Sequence, residues 1–285
     1  GEPAGERQGD EVEELPENLP FEIAPPTTRL SGKTRVNVSN YGIDVFGDMF
    51  TDRQVVALQT FLQLLPDVRK QVLADAQSSR LTSDDTRLQD EGAGADAYAD
   101  AVCVYLSFAI DRVAMTGNSL VRWNPVGQKA QHVFGRQAIP MLWDFAETNP
   151  LGNATGSFKA AYEMVENGLM SIIGTVGGVK QADAQTVNLP SGSVLNTDPP
   201  YYDNIAYADL SDFFYCWMRP ALKEIFPNLF GVLATPKSDE LVATTYLHSN
   251  KEAAEDFFLN GMIIILVLTI HISQNIIDFI INIIK

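Results

Sequence analysis

Residues 96–115 constrain the fold most, because they have the pattern of a helix that is apolar over much of its surface. The apolar positions recur at spacings of three and four, the period of an α-helix, and Gly117 follows where such a helix would end. One broad face is formed by Ala97, Ala101, Val104, Tyr105, Phe108 and Val113. A helix of this kind has little surface that favours water, so we expect it to be mostly buried.

Other segments have helical or extended patterns. Thr51 can cap a helix that runs to Pro66, residues 157–170 predict a short helix, and residues 209–225 predict another, in which Pro220 is expected to introduce a kink. After the glycines at 174–178, the pattern changes to short extended pieces, turn residues at 190–192 and a run at 193–197. Helices followed by alternating strands and helices predict an α/β fold.

The charge balance limits how this chain could contact nucleic acid. It has 36 acidic and 20 basic residues among 285, a net charge of −16, so any nucleic-acid site must be local. From Arg112 to Trp143 there is no Asp or Glu, and this basic island contains Arg122, Lys129 and Arg136. We expect these three residues to contact DNA; the alternative is that Arg122 and Arg136 pair with acids of the same chain.

Composition divides the chain into four parts. Residues 1–35 form an acidic lead or linker that we expect to be disordered, and residues 36–165 form a mainly helical region that includes the basic island. Residues 166–262 carry the alternating pattern. The two cysteines, Cys103 and Cys216, are too few for a disulfide framework or a zinc site, and no secretory signal opens the sequence. We therefore expect a cytoplasmic protein.

The last part, residues 263–285, differs sharply from the rest. Eleven of the residues 261–285 are isoleucine, against eight in the preceding 260. Three interpretations stay open: a membrane span, which polar residues from His271 onward disfavour; an amphipathic partner helix; and a non-native end, because Ile, Asn, Lys and Phe are encoded by AT-rich codons.

A short motif carries the clearest chemical signal, and it reads Asn196-Thr197-Asp198-Pro199-Pro200-Tyr201-Tyr202-Asp203-Asn204. Because proline makes up about 5% of residues in proteins, a chance Asp-Pro-Pro-Tyr is expected in on the order of one chain in a thousand of this length. A structural interpretation is a rigid turn with two surface tyrosines.

The motif also suits chemistry on an exocyclic amino group. Such a nitrogen is a poor nucleophile, because its lone pair is delocalised into the ring, and an enzyme that alkylates it must accept hydrogen bonds from the amino hydrogens. Asp198 can provide one acceptor and the carbonyl of Pro199 another, while Tyr201 offers a flat face to a base that has left its duplex.

The motif resembles the catalytic motif of amino-directed DNA methyltransferases. Its continuation, Ile205-Ala206-Tyr207-Ala208-Asp209-Leu210-Ser211-Asp212-Phe213-Phe214-Tyr215, is similar to large bacterial adenine-specific enzymes that carry a zinc ribbon and occur among restriction or anti-phage genes. Further matches include Phe46-Gly47-Asp48-Met49-Phe50-Thr51, Arg122-Trp123-Asn124-Pro125, Phe134-Gly135-Arg136-Gln137-Ala138 and Thr235-Pro236-Lys237. The resemblance spans residues 36–262.

This resemblance implies a partial Rossmann-like core at 166–262 and transfer of a methyl group from S-adenosylmethionine to N6 of a flipped adenine in double-stranded DNA. Asp198, Pro199, Pro200 and Tyr201 would hold the target amino group. Asp183, in Gln181-Ala182-Asp183-Ala184, would face the adenosine of S-adenosylmethionine from a strand end. A helix cap or an exposed turn is the other interpretation of Asp183.

Two departures from the family pattern bear on activity. No Asp-Pro-Phe with a glycine-rich turn occurs, and the glycines at 174–178 do not open a helix, so the main donor site has no counterpart here. The cysteines of a zinc ribbon are also missing. We expect the chain to be a fragment that is inactive alone and does not bind S-adenosylmethionine measurably. Two alternatives stay open: a non-catalytic DNA-binding module, and an amino methyltransferase that acts on cytosine, RNA or protein.

Overall fold

A computed structural model describes residues 22, 24–135, 137–172, 177–179, 181–188, 190, 193–194, 196–198 and 200–284, with side chains described as far as residue 268. The helices of this part of the chain are α1 (Gly32–Arg35), α2 (Asp52–Ser78), α3 (Ala95–Thr116), α4 (Phe158–Met170), α5 (Tyr207–Leu222), α6 (Pro227–Phe230) and α7 (Lys251–Ile284). Two short antiparallel strands, β1 (Trp123–Asn124) and β2 (Lys129–Ala130), form a hairpin.

Helix α3 is the centre of the fold, which confirms the helix predicted from residues 96–115. It contacts α2, α4 and α5. Small residues make these close approaches possible, since Ala99, Ala109 and Ala114 have no exposed surface. The apolar pattern, which disfavours exposure of α3 to water, therefore explains why α3 packs among α2, α4 and α5.

Helix α2 runs past Pro66, where the sequence pattern predicted that it would end. A proline inside a helix removes one backbone hydrogen bond and crowds the preceding turn. Contacts on both sides of Pro66 hold the helix in place: Leu58 and Leu65 are buried before it, and Arg69 forms ion pairs with Asp96 and Asp100 of α3 after it. Tertiary contacts thus outweigh the local preference.

The main core joins the N-terminal segment to α5 through aromatic rings. Phe213 of α5 has no exposed surface, and its ring contacts the rings of Phe46, Phe50 and Phe134 at centroid distances of 6.2, 6.1 and 5.4 Å. Trp217, one turn later, packs edge-on against Phe50 at 5.2 Å. Segments that are more than 160 residues apart in the sequence therefore share one core.

The predicted α/β class, with a partial Rossmann-like core, is wrong for the described residues. A Rossmann-like core needs several parallel strands, whereas the sheet in this part of the chain is the two-stranded β1–β2 hairpin and the architecture is mostly helical. The described residues of the run at 193–197 are not in a strand. Short apolar and turn-rich runs gave the strand pattern, but the described residues of this region contain no neighbouring strand that could pair with them.

Helix α7 extends from the folded body into the isoleucine-rich residues. Ala254 and Phe258, near its start, are buried against Ala243, with Leu241 and Met262 alongside. Farther along, the exposed large apolar residues are Leu259, Ile263, Ile264, Leu266 and Val267. Over the described residues, we find no helix with both the length and the apolar content that a membrane crossing requires.

Candidate functional site

The loop that carries the Asp-Pro-Pro-Tyr motif is attached to the fold through Tyr202. Its backbone is left-handed, with φ of 54°, and its carbonyl accepts a hydrogen bond from the amide of Ala243 at 3.0 Å. The Tyr202 hydroxyl donates to Oε1 of Glu255 at 2.6 Å, and its ring packs edge-on against Phe258 of α7 at 5.3 Å. The hydrogen bond to Glu255 raises the pKa of Tyr202 to about 12.

The residues before this anchor point away from the folded body. Tyr201 is 57% exposed and Asp198 is exposed, while Pro200 is half-buried. The side chains of Asp198 and Tyr201 form no hydrogen bond with any described residue. Pro199, the other predicted member of the motif, lies outside the described residues. A carboxylate and an aromatic ring are thus left free to contact a ligand, on a loop whose following residue is fixed.

A cavity of about 770 Å³ lies beside this loop. Asp203 forms part of its wall, and Lys33 and Arg35 from α1 form another part. Neither of these cations forms an ion pair within the described part of the chain. The remaining wall combines apolar residues with polar ones, and the polar ones are Ser31, Ser39, Asn40, Thr244, Thr245 and Tyr246. The volume lies within the range of about 300–1,000 Å³ that is typical of small-molecule sites.

Buried Asp209 joins the elements around this cavity. Its carboxylate accepts hydrogen bonds from Ser31 Oγ at 2.7 Å, from the Lys33 amide at 3.3 Å and from the Tyr246 hydroxyl. Burial, together with this hydrogen bond to Asp209, raises the pKa of Tyr246. These contacts fix α1 and the segment after residue 244 to the start of α5, and thereby define the shape of the cavity.

Asp212, one turn later on α5, fixes the segment that contains Thr235 and Lys237 to this helix. It accepts hydrogen bonds from the Thr235 amide at 2.8 Å and the Thr235 hydroxyl at 2.7 Å, and it pairs with Lys237. Sequence reasoning assigned no role of their own to Asp209 and Asp212. The available signal was their spacing of three residues within a helix rich in aromatic residues, which puts both carboxylates on neighbouring positions of one face.

Asp183 lies in an exposed turn and not at a strand end. Its Oδ1 accepts a hydrogen bond from the Gln185 amide at 2.8 Å, and its carbonyl accepts from the amides of Thr186 and Val187. A side chain used in this way stabilises its own turn. Together with the missing parallel sheet, this means that the described residues do not fit an S-adenosylmethionine site of the kind that the resemblance implies.

The predicted DNA contacts fall on the β1–β2 hairpin. Trp123 pairs with Ala130 and Asn124 with Lys129, so Arg122 and Lys129 extend from the same face. Both are exposed, and Arg122 donates to Oε1 of Gln131. Arg122 forms no ion pair with an acidic residue in the described part of the chain, so the alternative interpretation of Arg122 has no support there. Arg136 lies outside the described residues.

The cysteines are placed in the packed interior. Cys103 is buried on α3, and Cys216 is half-buried on α5. Burial raises the pKa of both thiols, that of Cys216 to about 11. Both therefore remain protonated at neutral pH and are poorly suited to nucleophilic chemistry.

Comparison with known proteins adds no relative. No protein-family model, no curated protein and no solved structure matches the chain. The site itself and the motif are therefore the evidence for function.

Proposed function

We propose that this chain provides the target-base side of an S-adenosylmethionine-dependent amino methyltransferase that acts on adenine in double-stranded DNA. The observation that carries the proposal is the exposure of Asp198 and Tyr201 on a loop that Tyr202 anchors to α7. A flipped base needs acceptors for its amino hydrogens and a flat surface to replace lost stacking, and these two side chains are of the required types.

Each residue has a limited task in this proposal. Asp198 accepts a hydrogen bond from the adenine amino group, and Tyr201 stacks on the ring. The adjacent cavity of about 770 Å³ has room for a nucleotide, and Lys33 and Arg35 in its wall offer positive charge to a phosphate. S-adenosylmethionine supplies the methyl group when bound, and the proposal assigns its site to residues outside the described part of the chain or to another chain.

The stacking role is tested by DNA binding. The probe is a labelled duplex with one unpaired adenine, and its affinity is measured by fluorescence anisotropy. Replacing Tyr201 with Ala should weaken binding about tenfold, because stacking on one base contributes about 1–3 kcal/mol. Tyr201→Phe should bind like the unmodified protein, because the ring is kept. Tyr98→Ala is the matched control, since Tyr98 is 54% exposed on α3, and equal losses for Tyr201→Phe and Tyr201→Ala would contradict stacking.

The acceptor role is tested by methyl transfer. Because the chain alone is expected to be inactive, transfer of radioactive methyl groups from S-adenosylmethionine to DNA is measured with the donor site supplied by the rest of the enzyme or by another chain. The activity should then be lost in Asp198→Ala, because this carboxylate is needed during the reaction. Asp239→Ala removes an equally exposed carboxylate elsewhere and should keep the activity. Retention of more than about a tenth of the original rate in Asp198→Ala would show that the motif is only a turn.

A second function, DNA binding without methyl transfer, is favoured by the helical fold and by the hairpin. In the described part of the chain the donor core is missing, whereas Arg122 and Lys129 are exposed on one face of the hairpin. Replacing both by Gln should reduce the slope of log affinity against log salt by about 1.8, as expected for two phosphate contacts.

The control for this experiment replaces Lys70 and Lys159, which already pair with Asp67 and Glu163. Unchanged salt dependence in the hairpin variant, with reduced thermal stability, would instead support a structural role for Arg122 and Lys129. Binding that depends on the hairpin, without methyl transfer even when the donor site is supplied, would favour the second function over the first.

A further inference from the structure

A second cavity, of about 430 Å³, lies between α3, α5 and α6, and it differs in character from the one beside the motif loop. Its wall contains the rings of Phe214, Tyr215 and Phe230, the thioether of Met218 and the carboxyl group of Asp111. Tyr215 and Phe230 stack on each other, with centroids 5.5 Å apart and an angle of 21° between the rings. The cavity is therefore mainly apolar and aromatic, with an acidic group in its wall.

Asp111 is the unusual feature of this cavity. The residue is only 6% exposed, and its Oδ1 is buried without a hydrogen-bond partner in the described part of the chain. Burial raises the pKa of this carboxyl well above its ordinary value. Buried carboxyl groups normally have donors, because an unsatisfied one destabilises the fold. Asp111 thus lines the cavity with one carboxyl oxygen unsatisfied.

No ion pair joins Asp111 to a cation of the described residues, and three cations on or next to the segments that line the cavity have other partners. The guanidinium of Arg112 contacts Sδ of Met164 at 2.7 Å, and Nε of Arg219 donates to the carbonyl of Val232 at 2.7 Å. Lys237 pairs with Asp212. The described residues therefore provide no positive partner for Asp111.

The wall chemistry selects among possible ligands. An aromatic face attracts cations through its quadrupole, and a carboxylate attracts them through its charge, so both parts of the wall favour the same ligand type. A hard metal ion would need several oxygen ligands, whereas the described wall contributes a single carboxyl group. An anion would be repelled by Asp111.

We propose that this cavity binds a small planar organic cation of the amidinium or guanidinium type. An N–H group of the ligand donates to the Asp111 carboxylate, and its flat face packs on the aromatic wall. The cavity volume suits a small molecule, and the net charge of −16 favours the approach of cations.

The test uses two probes of nearly identical shape, benzamidine, which is a planar cation, and benzamide, which is neutral. Isothermal titration of the full chain should give benzamide an affinity at least about tenfold lower than that of benzamidine, since only the cation can pair with Asp111. In Asp111→Asn, which keeps the size of the side chain, the two probes should bind with similar affinities. Asp239→Asn, a change at an exposed position, should leave the difference intact.

A second variant examines the aromatic wall. Phe230→Leu keeps an apolar surface but removes the ring, and it should weaken benzamidine binding severalfold while affecting benzamide less. Circular dichroism checks that each variant is folded. Equal affinities of the two probes for the unmodified protein, or an unchanged difference in Asp111→Asn, would overturn the proposal, as would no saturable binding of benzamidine up to about 10 mM. None of these measurements involves the motif loop or DNA, so they are independent of the proposed methyltransferase function.

Discussion

Asp100 lies on α3 with no exposed side-chain surface, and four donors surround its carboxylate. Arg87 contributes two hydrogen bonds, of 2.6 and 2.9 Å, Arg69 contributes one of 2.7 Å, and the Leu88 amide contributes one of 3.2 Å. Burial by itself would raise the pKa of Asp100, but the hydrogen bonds from the two arginines outweigh it and hold the pKa below its ordinary value. The group therefore fixes α2 and the segment before α3 to one point.

Replacing Asp100 with Asn should destabilise the protein by about 3 kcal/mol, because it leaves two arginines without their buried partner. Urea denaturation of both proteins measures this change. The stabilisation by Asp100 is present above the ordinary carboxyl pKa and is lost as pH falls through the lowered pKa of the folded state. The difference between the two proteins should thus shrink under strongly acidic conditions, and a difference that stays constant with pH would contradict the ion-pair explanation.

Asp111 should show the opposite pH dependence, because burial raises its pKa in the folded state. A carboxyl group with a raised folded pKa favours folding at low pH and opposes it as pH rises through that value. Asp111→Asn should therefore increase the melting temperature at pH 7 and change it little below the ordinary carboxyl pKa. Thermal denaturation at both pH values is the measurement, and a lower melting temperature at pH 7 would indicate that the carboxylate has a stabilising partner.

At the scale of elements, the start of α2 is defined by a reciprocal pair of hydrogen bonds. The Thr51 hydroxyl accepts from the Gln54 amide at 3.3 Å, and the Gln54 side chain accepts from the Thr51 amide at 2.9 Å. Thr51 also donates to Glu147 at 2.9 Å. Sequence reasoning identified Thr51 as the cap from its residue type and position, and the structure confirms it.

Loss of this cap should have a measurable effect. Thr51→Ala should lower the free energy of unfolding by about 1 kcal/mol, because the Gln54 amide loses its hydrogen-bond acceptor and the reciprocal pair of hydrogen bonds is broken. Thr51→Ser keeps the hydroxyl and should stay within a few tenths of a kcal/mol of the unmodified protein. Chemical denaturation distinguishes the two variants, and equal losses would mean that the methyl group of Thr51, and not its hydroxyl, carries the effect.

The helices could be predicted because their signal is local, whereas the strand prediction failed in the described residues. The periods in 96–115 and 157–170 correspond to α3 and α4, and Ser157 caps α4 through a hydrogen bond to the Ala160 amide. Strand patterns are short, and their meaning depends on a distant partner that the sequence does not identify. The same reason explains why α2 passes Pro66, since the ion pairs of Arg69 lie 27 and 31 residues away in the sequence.

At the scale of the whole molecule, the cavities were the least predictable feature. Asp209 meets Ser31 across 178 sequence positions, and Asp111 faces rings contributed by α5 and α6. The motif loop was identified because the sequence Asp-Pro-Pro-Tyr is rare, and the structure places Asp198 and Tyr201 at the surface. Its anchor, Tyr202, and the partner Glu255 on α7 were not found, because a single hydrogen bond between surface residues leaves no pattern in a sequence.

The last prediction concerns the isoleucine-rich end of α7. Removing residues 263–285 keeps Ala254, Phe258 and Met262, which pack against Ala243 and Leu241. We therefore expect the free energy of unfolding to change by less than about 1 kcal/mol. Aggregation should decrease, because the truncation removes the exposed Ile263, Ile264, Leu266 and Val267.

A longer truncation provides the matched comparison. Removing residues 251–285 also removes buried Phe258 and the Glu255 partner of Tyr202, and it should cost about 3 kcal/mol, as expected for loss of a buried aromatic side chain. Chemical denaturation gives the free energies, and light scattering gives the association state. If the shorter truncation lost more than about 2 kcal/mol, the isoleucine-rich residues would be part of the folded core. If it lost less than about 1 kcal/mol and the longer one about 3, the packed part of α7 would end near Met262, and the motif loop would keep its anchor without the residues that follow.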